Sequence, residues 1–448
     1  IIIGGGLAGS EAAFQAATRG IDVTLYEMRP LTKTAAHSTS NLAELVCSNS
    51  LGSLLPDRAS GLLINELRKL KSLLVNIALE TAVPAGGSLS VDRNLFSQKV
   101  SEILQQHPRI HNIRAEVTRI PEKPAIIASG PLTSSALSEA IEELTGHDQL
   151  FFFDAVAPII YKDSIDLSVA FLASRFASTN GQTDDYINCP LSKQQFEDFV
   201  SALITAERIP LKENESSIRN GVIAGKGSYF EGCLPIEIIA KRGHSSLCFG
   251  PMRPIGLVDP RTDQRPYAAL QLRQENLAAS LYNMVGFQTN LTFSEQKRVF
   301  QMIPGLERAE FARLGQMHRN TFIAAPLLLF PTLQSRKRMD LFFAGQITGI
   351  EGYLGNIASG LLAGINAANY LNGHDLVSFP FSTLIGALCR YITECPVEKF
   401  QPMKANFGLL PELDKQFRTR LQRTACHVEN ASLAMDSYIK DHSRNLFT

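Results

Sequence analysis

The first thirty residues contain an apolar strand, a glycine turn, a helix and a second strand in that order, and this feature constrains the fold most. Glycines at this spacing permit the tight turn (Gly4), the approach of a pyrophosphate to the backbone (Gly6) and close packing of the helix predicted over residues 10–19 (Gly9). Glu27 lies 18 residues beyond Gly9, where a carboxylate can accept hydrogen bonds from ribose hydroxyls. The unit predicts an α/β fold with a Rossmann-like, dinucleotide-binding domain.

A second strand and glycine turn occur late in the chain. The apolar run 341–344 ends in Gly345, and a helix of small residues is predicted over residues 356–370. This arrangement is typical of flavoproteins with two dinucleotide folds, so it favours FAD over NAD as the tightly bound nucleotide. Gln346 stands where many flavoproteins place an aspartate for the ribityl chain. An earlier turn at Gly130, after a strand at 126–128, is of the kind that lies under the cofactor.

Several local predictions follow from periodicity and capping residues. The leucines between Gly61 and Leu79 recur near helical spacing, which predicts one helix there. Asp92 is the expected N-cap of the next helix, and Asn356 is the expected cap of the late small-residue helix.

Length and composition indicate a soluble protein of two domains or one large discontinuous domain. The chain has 448 residues, 45% of them apolar and 19% charged, which permits a large core. We predict a discontinuous FAD-binding domain of residues 1–150 and 319–448. Residues 151–318, rich in short strands, prolines and turns, are predicted to form an inserted α+β domain that faces the substrate.

The sequence also bears on location and metal binding. No apolar run approaches the about 18 residues that a membrane span needs, so no membrane association is expected. The seven cysteines are scattered, without close pairs or zinc-ligand spacing. They predict reduced thiols, a cytoplasmic location and no metal site. The sequence leaves the oligomeric state open.

The net charge of zero argues against a general polyanion-binding protein. Local basic groups are nevertheless present, and each forms an RNA site only if folding brings it onto a shared face. These groups are Lys241-Arg242-Gly243-His244, Arg336-Lys337-Arg338 and the set Arg418, Arg420 and Arg423.

Two cysteines lie in loops where chemistry would need them, Cys47 after the first nucleotide unit and Cys233 in the segment 230–237. A thiolate is a strong nucleophile when a helix N-terminus or a cation lowers its pKa. By residue type alone each cysteine is more often a small buried side chain. A flavin with two thiols suggests a disulfide reductase, but those enzymes have close-spaced cysteines, unlike Cys47 and Cys233.

Blocks of sequence along nearly the whole chain resemble the folate- and FAD-dependent tRNA uracil-5-methyltransferases. The Cys47 and Cys233 blocks separate the chain from the sister flavoproteins that modify the wobble uridine. The blocks are Gly4-Gly-Gly-Leu-Ala-Gly-Ser-Glu-Ala-Ala13, Leu25-Tyr-Glu-Met-Arg-Pro30, Glu44-Leu-Val-Cys-Ser-Asn-Ser50, Val83-Pro-Ala-Gly-Gly87, Ser129-Gly-Pro-Leu-Thr-Ser134, Glu231-Gly-Cys-Leu-Pro-Ile-Glu237, Phe249-Gly-Pro-Met-Arg-Pro254, Leu272-Arg-Gln274, Tyr282-Asn-Met-Val-Gly-Phe-Gln-Thr289, Met317-His-Arg-Asn-Thr-Phe322 and Phe343-Ala-Gly-Gln346.

The resemblance implies methylation of uracil C5 in the T-loop of tRNA, at position 54, with methylenetetrahydrofolate as carbon donor and FAD reduced by NAD(P)H. It implies that Cys233 adds to uracil C6 and that Cys47 is the general base or its partner, without settling which cysteine does which. The expected cofactor contacts are Gly4, Gly5, Gly6, Leu7, Ala8, Gly9, Glu27, Gly130, Gly345 and Gln346.

Other functions stay open. The same chemistry on ribosomal RNA, wobble-uridine modification and a flavin-dependent reductase are alternatives among enzymes. A flavoprotein that binds RNA without catalysis is the alternative from another class. Transfer of labelled carbon from folate to RNA separates an enzyme from a binding protein.

Overall fold

The computed structural model describes residues 1–34, 36–146, 150–175, 185–210, 234–414 and 417–448. For residues 150–153, 318 and 319 only the backbone is described. Cys233 therefore lies outside the described residues.

A five-stranded sheet, parallel throughout, lies at the centre of the larger of the two main core clusters. Two of its inner strands, Ile2–Ile3 and Ala125–Ile127, are apolar and fully buried, as expected where helices cover both faces of a parallel sheet. The predicted α/β, Rossmann-like fold is confirmed, and the late strand returns beside the early ones. In spatial order the strands are Leu341–Phe343, Ala125–Ile127, Ile2–Ile3, Val23–Glu27 and Ile110–Arg114.

Two helices of small residues pack tightly against each other beside this sheet, Leu7–Thr18 and Tyr353–Asn372. A Cβ atom added at Gly360 would lie 2.2 Å from the carbonyl oxygen of Ala8, and one added at Gly364 would lie 2.6 Å from that of Ala12. Only residues without a Cβ permit this approach. The helix contact therefore joins the first nucleotide unit to the late segment.

The predicted boundaries of the late helix need correction. It begins at Tyr353, with Gly352 as its N-cap residue, and ends at Asn372. The interpretation of Asn356 as the cap is wrong, because this residue lies within the first turns of the helix. The N-cap prediction for Asp92 is confirmed: its carboxylate accepts hydrogen bonds from the N–H groups of Asn94 and Leu95.

The single helix predicted between Gly61 and Leu79 is wrong, because the chain forms two helices, Ala59–Lys69 and Leu73–Glu80. Lys71 has a left-handed backbone, with φ of 59°, and breaks the helix. The buried carboxylate of Glu11 then accepts hydrogen bonds from the Ser72 hydroxyl and from the N–H groups of Leu73 and Leu74. An anion at these free N–H groups stabilises the start of the second helix.

A second core cluster is formed by described residues between 160 and 311 around a six-stranded antiparallel sheet. A two-stranded antiparallel pair, Leu150–Ala155 with Met317–Phe322, connects the two sheets in sequence. In spatial order the strands of the six-stranded sheet are Phe171–Leu172, Tyr186–Leu191, Ala268–Gln274, Leu281–Met284, Ile159–Tyr161 and Phe311–Arg313.

The remaining elements cover these sheets. Three short strands, Ser50–Ser53, Ser88–Val91 and Ala82–Val83, form one sheet, and Ile350–Glu351 pairs in parallel with Met403–Lys404. The other helices are Arg93–Gln106, Ser135–Thr145, Lys193–Thr205, Ile236–Lys241, Ser246–Phe249, Phe293–Phe300, Ala325–Leu328, Leu384–Glu394, Arg420–Asp441 and Ser443–Phe447. Within the described ranges, no helix combines the length and the apolar character required to traverse a bilayer.

Candidate active site

One large cleft lies along the carboxyl ends of the five parallel strands, with an empty volume of about 1130 Å³ including its open mouth. Ligands of open α/β sheets bind at this edge. The cleft brings together residues that are far apart in the chain. Among the predicted site residues, those that line it are Gly4, Gly6, Leu7, Ala8, Glu27, Cys47, Gly130, Gly345 and Gln346.

The glycine turn shapes one end of the cleft. Gly4 has φ of +103°, and a Cβ atom there would lie 2.4 Å from the carbonyl oxygen of Ala128. A Cβ atom at Gly9 would lie 1.8 Å from the carbonyl oxygen of Gly4, so the helix can approach the strand only with glycine there. No described atom lies within 4 Å of a Cβ atom built at Gly6. The open space beside Gly6, at the start of the helix Leu7–Thr18, suits a phosphate group.

Glu27 lines the same end and is held by its neighbours. Its Oε2 accepts a hydrogen bond of 3.1 Å from the N–H of Gly5, and both oxygens accept hydrogen bonds from the guanidinium of Arg29. Burial alone would raise the pKa of Glu27, but Arg29 outweighs it and holds the pKa below its usual range. Arg29 also pairs with Glu44 at 3.0 Å. Ribose hydroxyls would therefore share the Glu27 oxygens with Arg29.

The loop that carries Cys47 forms the other end of the cleft. The backbone N–H groups of Cys47 and Ser48 donate to the hydroxyl oxygen of Tyr353 at 2.9 and 3.1 Å. Tyr353 is the first residue of the small-residue helix and lines the cleft. One side chain of the late segment thus fixes the backbone of the early cysteine loop.

The thiol of Cys47 faces two buried carboxyl groups. Its Sγ lies 3.7 Å from Oδ2 of Asp154, which is 4% exposed and lines the cleft. Burial, Asp154 and Glu351 together raise the pKa of Cys47 well above its ordinary value, against smaller opposite effects of Arg313 and Arg93. At neutral pH Cys47 is therefore a thiol and not a thiolate.

Glu351 is the second of these carboxyl groups and is 6% exposed. Burial and the nearby charge of Asp154 raise its pKa to about 8. Its Oε1 accepts a hydrogen bond of 2.7 Å from Nε2 of Gln346, which lines the cleft. The predicted ribityl contact at Gln346 therefore lies beside a carboxyl group that holds a proton at neutral pH.

Arg273 and Arg93 bind the loop, and the charge of Arg313 also acts on Cys47. Arg273 donates to Oδ1 of Asn49 at 2.9 Å and to the hydroxyl of Ser48 at 2.7 Å, and Arg93 donates to the carbonyl oxygen of Leu45. Burial, together with the nearby charge of Arg93, lowers the pKa of Arg313 to about 10. The cysteine loop is thus bound by arginines, and its thiol faces carboxyl groups.

Two asparagines in the cleft have polar atoms without a hydrogen-bond partner in the described part of the chain. For Asn320, which is 1% exposed, these are both Oδ1 and Nδ2, and for Asn356 it is Oδ1. Buried amides without partners are uncommon in folded proteins. These atoms are suited to hydrogen-bond a group bound in the cleft.

The structure does not bring all predicted residues together. Gly5 and Gly9 lie behind the cleft wall, where Gly5 binds Glu27 and Gly9 packs on Gly4. Cys233 lies outside the described residues; its neighbour Glu237 is buried and binds Thr289 and Asn290. Among the described residues, no three His, Cys, Asp or Glu side chains are grouped as metal ligands.

The basic groups predicted from the sequence differ in their contacts and in their exposure. Arg338 binds Asp340 and the carbonyl oxygens of Pro121 and Lys123. Arg336 stacks on Phe330 at 4.4 Å, and Lys337 binds the carbonyl oxygen of Thr145. These contacts explain the group 336–338 as part of the fold. The side chains of Lys241, Arg242, His244, Arg418, Arg420 and Arg423 are exposed.

Sequence reasoning missed the residues that surround Cys47. Tyr353 and Glu351 lie in a stretch read only for its helix cap, and Asp154 and Asn320 lie in strands predicted only as part of the inserted domain or its boundary. Buried polar residues in otherwise apolar strands were the available signal. Their meeting at Cys47 depends on long-range packing, which local patterns do not reveal.

Comparisons with known proteins show which proteins the chain is similar to. The family model described as glucose inhibited division protein A matches residues 1–375. Methylenetetrahydrofolate--tRNA-(uracil-5-)-methyltransferase TrmFO from Natranaerobius thermophilus is 52% identical, over 94% of this chain and 95% of the relative. TrmFO from Enterococcus faecalis is 53% identical, over 94% of each chain. A solved structure of GidA from Aquifex aeolicus covers all of this chain and 76% of its own, with a TM-score of 0.68 at 17% identity, and shows the shared fold.

Proposed function

The chain belongs to the TrmFO family of methylenetetrahydrofolate--tRNA-(uracil-5-)-methyltransferases, within the glucose inhibited division protein A flavoproteins, and from this premise we propose its reaction. We propose that it methylates C5 of a tRNA uracil, the T-loop uridine at position 54, with carbon from methylenetetrahydrofolate. NAD(P)H is the proposed reductant of its FAD.

The observation that carries this proposal is the cleft itself. The glycine turn, Glu27, Cys47, Asp154 and Tyr353 all line it. A nucleotide cofactor and a reactive thiol therefore fit side by side in one space. The relatives named above are folate-dependent by name, which does not favour a flavin reductase. A flavin reductase would also not need this arrangement of a thiol and carboxyl groups.

The residues of the cleft fit FAD. Gly4, Gly6 and the start of the helix Leu7–Thr18 would hold the pyrophosphate, and Glu27 would bind the adenosine ribose. Gly345, Gln346 and Gly130 would line the flavin end. Bound FAD in its reduced form supplies the hydride that turns the transferred methylene into a methyl group.

The two cysteines meet the chemical needs of the uracil ring. Addition of the Cys233 thiolate to C6 forms an S–C6 bond and leaves an enolate whose C5 attacks the methylene carbon. A base then removes the C5 proton as the bond between the methylene carbon and its donor nitrogen breaks and the protonated amine departs, which leaves an exocyclic methylene on the ring. Hydride addition to that methylene would form the methyl group, and the resulting enolate expels the thiolate from C6. Cys47 is proposed as the base or its partner, and either role requires the loss of the proton that its raised pKa retains on sulfur. Cys233 lies outside the described residues, so its role rests on the resemblance.

The same proposal extends to domains and location. We infer an FAD-binding domain of residues 1–150 and 319–448 and a substrate-facing domain of residues 151–318. The two core clusters, which divide near these bounds, support it. A tRNA substrate makes the cytoplasm the proposed location.

The test uses unmodified tRNA with the purified protein, methylenetetrahydrofolate and NAD(P)H, followed by nucleoside analysis. We expect 5-methyluridine, and none when folate is omitted or when cytidine replaces uridine at position 54. Product in ribosomal RNA but not in tRNA would favour the alternative substrate. Binding of tRNA without any product would contradict the enzyme proposal.

A further inference from the structure

Asn320 has a buried side-chain amide that forms no hydrogen bond with the described residues and lines the cleft. It lies in the strand Met317–Phe322, is 1% exposed and lines the cleft. Neither Oδ1 nor Nδ2 has a hydrogen-bond partner within the described part of the chain. A buried donor and acceptor left unpaired destabilise a protein, so this arrangement indicates a ligand that supplies both partners.

The register of the strands brings Asn320 close to the reactive end of the cleft. Asn320 pairs with Phe152 on the strand Leu150–Ala155, and Asp154 lies two residues further along that strand. Because side chains alternate in a strand, Asn320 and Asp154 share one face as diagonal neighbours. Asp154 is the residue that faces the thiol of Cys47. The unpaired amide therefore lies on the wall where the reacting rings must bind.

A carboxamide offers one acceptor and an N–H donor side by side. The matching ligand edge has a carbonyl oxygen next to a ring N–H. The pyrimidine-2,4-dione edge of uracil and of the flavin ring has this pattern, with a carbonyl on each side of the ring N–H. The pterin ring of the folate donor has a carbonyl on one side of its ring N–H and an amino group on the other. A phosphate or a ribose hydroxyl lacks the pairing, because it does not place a carbonyl beside a ring N–H.

We propose that Asn320 binds the pyrimidine-2,4-dione edge of a ring in the cleft through a pair of hydrogen bonds. This rests on the proposed function, which supplies both rings. Asn320 then selects the ring by its hydrogen-bonding edge. It takes no part in bond making.

The test compares Asn320→Leu, of similar size but without hydrogen bonds, with Asn320→Asp, which keeps the shape and loses the N–H donor. Asn283→Leu is the matched control, because Asn283 is buried, has an unpaired Nδ2 and does not line the cleft. Three quantities are measured: the Kd for FAD, the ratio of Kd values for tRNA with uridine or cytidine at position 54, and the unfolding free energy of the FAD-free protein.

If the flavin is the ligand, both Asn320 variants raise the Kd for FAD about tenfold or more and leave the uridine preference intact. If uracil is the ligand, the Kd for FAD is unchanged and the uridine preference falls about tenfold. In either case FAD-free Asn320→Leu is at least as stable as the parent, because no protein hydrogen bond is lost. If Asn320 had a purely structural role, Asn320→Leu would instead lower the unfolding free energy of the FAD-free protein.

Unchanged FAD affinity and unchanged uridine preference in both folded variants would overturn the inference while leaving the proposed function intact. The inference is also overturned, with the proposed function intact, if Asn320→Leu destabilises the FAD-free protein and Asn320→Asp binds FAD and uridine-bearing tRNA as the parent does. A parent protein that binds neither FAD nor uridine-bearing tRNA would contradict the proposed function and this inference together.

Discussion

The charge around Cys47 decides what its thiol can do. Asp154 and Glu351 approach from strands of the cleft wall, while Arg93 and Arg313 approach from behind the loop, and Tyr353 fixes the backbone. Desolvation and the carboxyl groups raise the pKa of Cys47 more than the arginines lower it, so the proton stays on sulfur at neutral pH. A proton must therefore leave Cys47 before it acts as a base, and Asp154 is the nearest carboxylate to that thiol.

Replacing Asp154 tests this balance. Asp154→Asn removes a negative charge 3.7 Å from the sulfur, so the pKa of Cys47 falls and its alkylation by iodoacetamide becomes faster at pH 7 to 8. Peptide-level mass spectrometry follows Cys47, with Cys248 in the same samples as the internal control. If the dependence of Cys47 alkylation on pH is the same in Asp154→Asn as in the parent, Asp154 does not control the thiol.

Glu351 makes the unfolding free energy of the protein depend on pH. Its pKa is raised from 4.5 to about 8 in the folded protein. The unfolded chain thus loses this proton first, and the group destabilises the folded state increasingly as pH rises from about 4.5 to about 8. Glu351→Gln removes this dependence. Between pH 6 and pH 8 the FAD-free variant should gain about 2 kcal/mol of unfolding free energy relative to the parent, as measured in urea. A constant difference between variant and parent across this range would contradict the raised pKa.

At the scale of elements, the sequence predicted those whose signals are local. The strand ends at Gly4 and Gly345, the cap at Asp92 and the late return to the sheet all follow from glycine spacing and capping residues. The break at Lys71 was missed because the leucine periodicity continues across it. At this break the start of the second helix is bound by Glu11, which lies 60 residues before Lys71 in the chain. Glu66 likewise binds the N–H groups of Leu384 and Ile385 at the start of a distant helix.

The glycine turn gives a prediction at this scale. In Gly9→Ala the added Cβ would lie 1.8 Å from the carbonyl oxygen of Gly4, so helix and strand must separate. We expect a loss of about 1–3 kcal/mol in unfolding free energy and purified protein without bound FAD. Gly20→Asn, just beyond the other end of the same helix, is the matched control, because no described atom lies within 4 Å of a Cβ atom there. Flavin content equal to that of the parent in Gly9→Ala would refute the role of the turn.

At the scale of the whole molecule, one part of the candidate site could be predicted from the sequence and the other part could not. The nucleotide end of the cleft follows from motifs, because strand, turn and helix are adjacent in the chain. The thiol end does not, because Asp154 and Tyr353 lie 107 and 306 residues from Cys47 in the chain and meet it only in the folded protein. Local patterns carry no information on that contact. The resemblance to a known family supplied the cysteines instead.

RNA binding is also a property of the whole surface. If exposed Lys241 contacts a phosphate, Lys241→Gln weakens tRNA binding and reduces the slope of log K against log salt by about one. Arg338→Ala should leave the slope unchanged and lower stability, because Arg338 is bound to Asp340 and Pro121. Filter binding over a series of salt concentrations measures both. Equal slopes for Lys241→Gln and the parent would assign Lys241 to the solvated surface.

The most direct test of the central claim traces one carbon atom. The protein is incubated with tRNA, NAD(P)H and methylenetetrahydrofolate labelled with ¹³C in its methylene group, and the nucleosides are analysed by mass spectrometry. We predict 5-methyluridine at position 54 that carries the label, formed without any S-adenosylmethionine. Unlabelled 5-methyluridine, or no 5-methyluridine from FAD-loaded protein that binds the tRNA, would contradict the account.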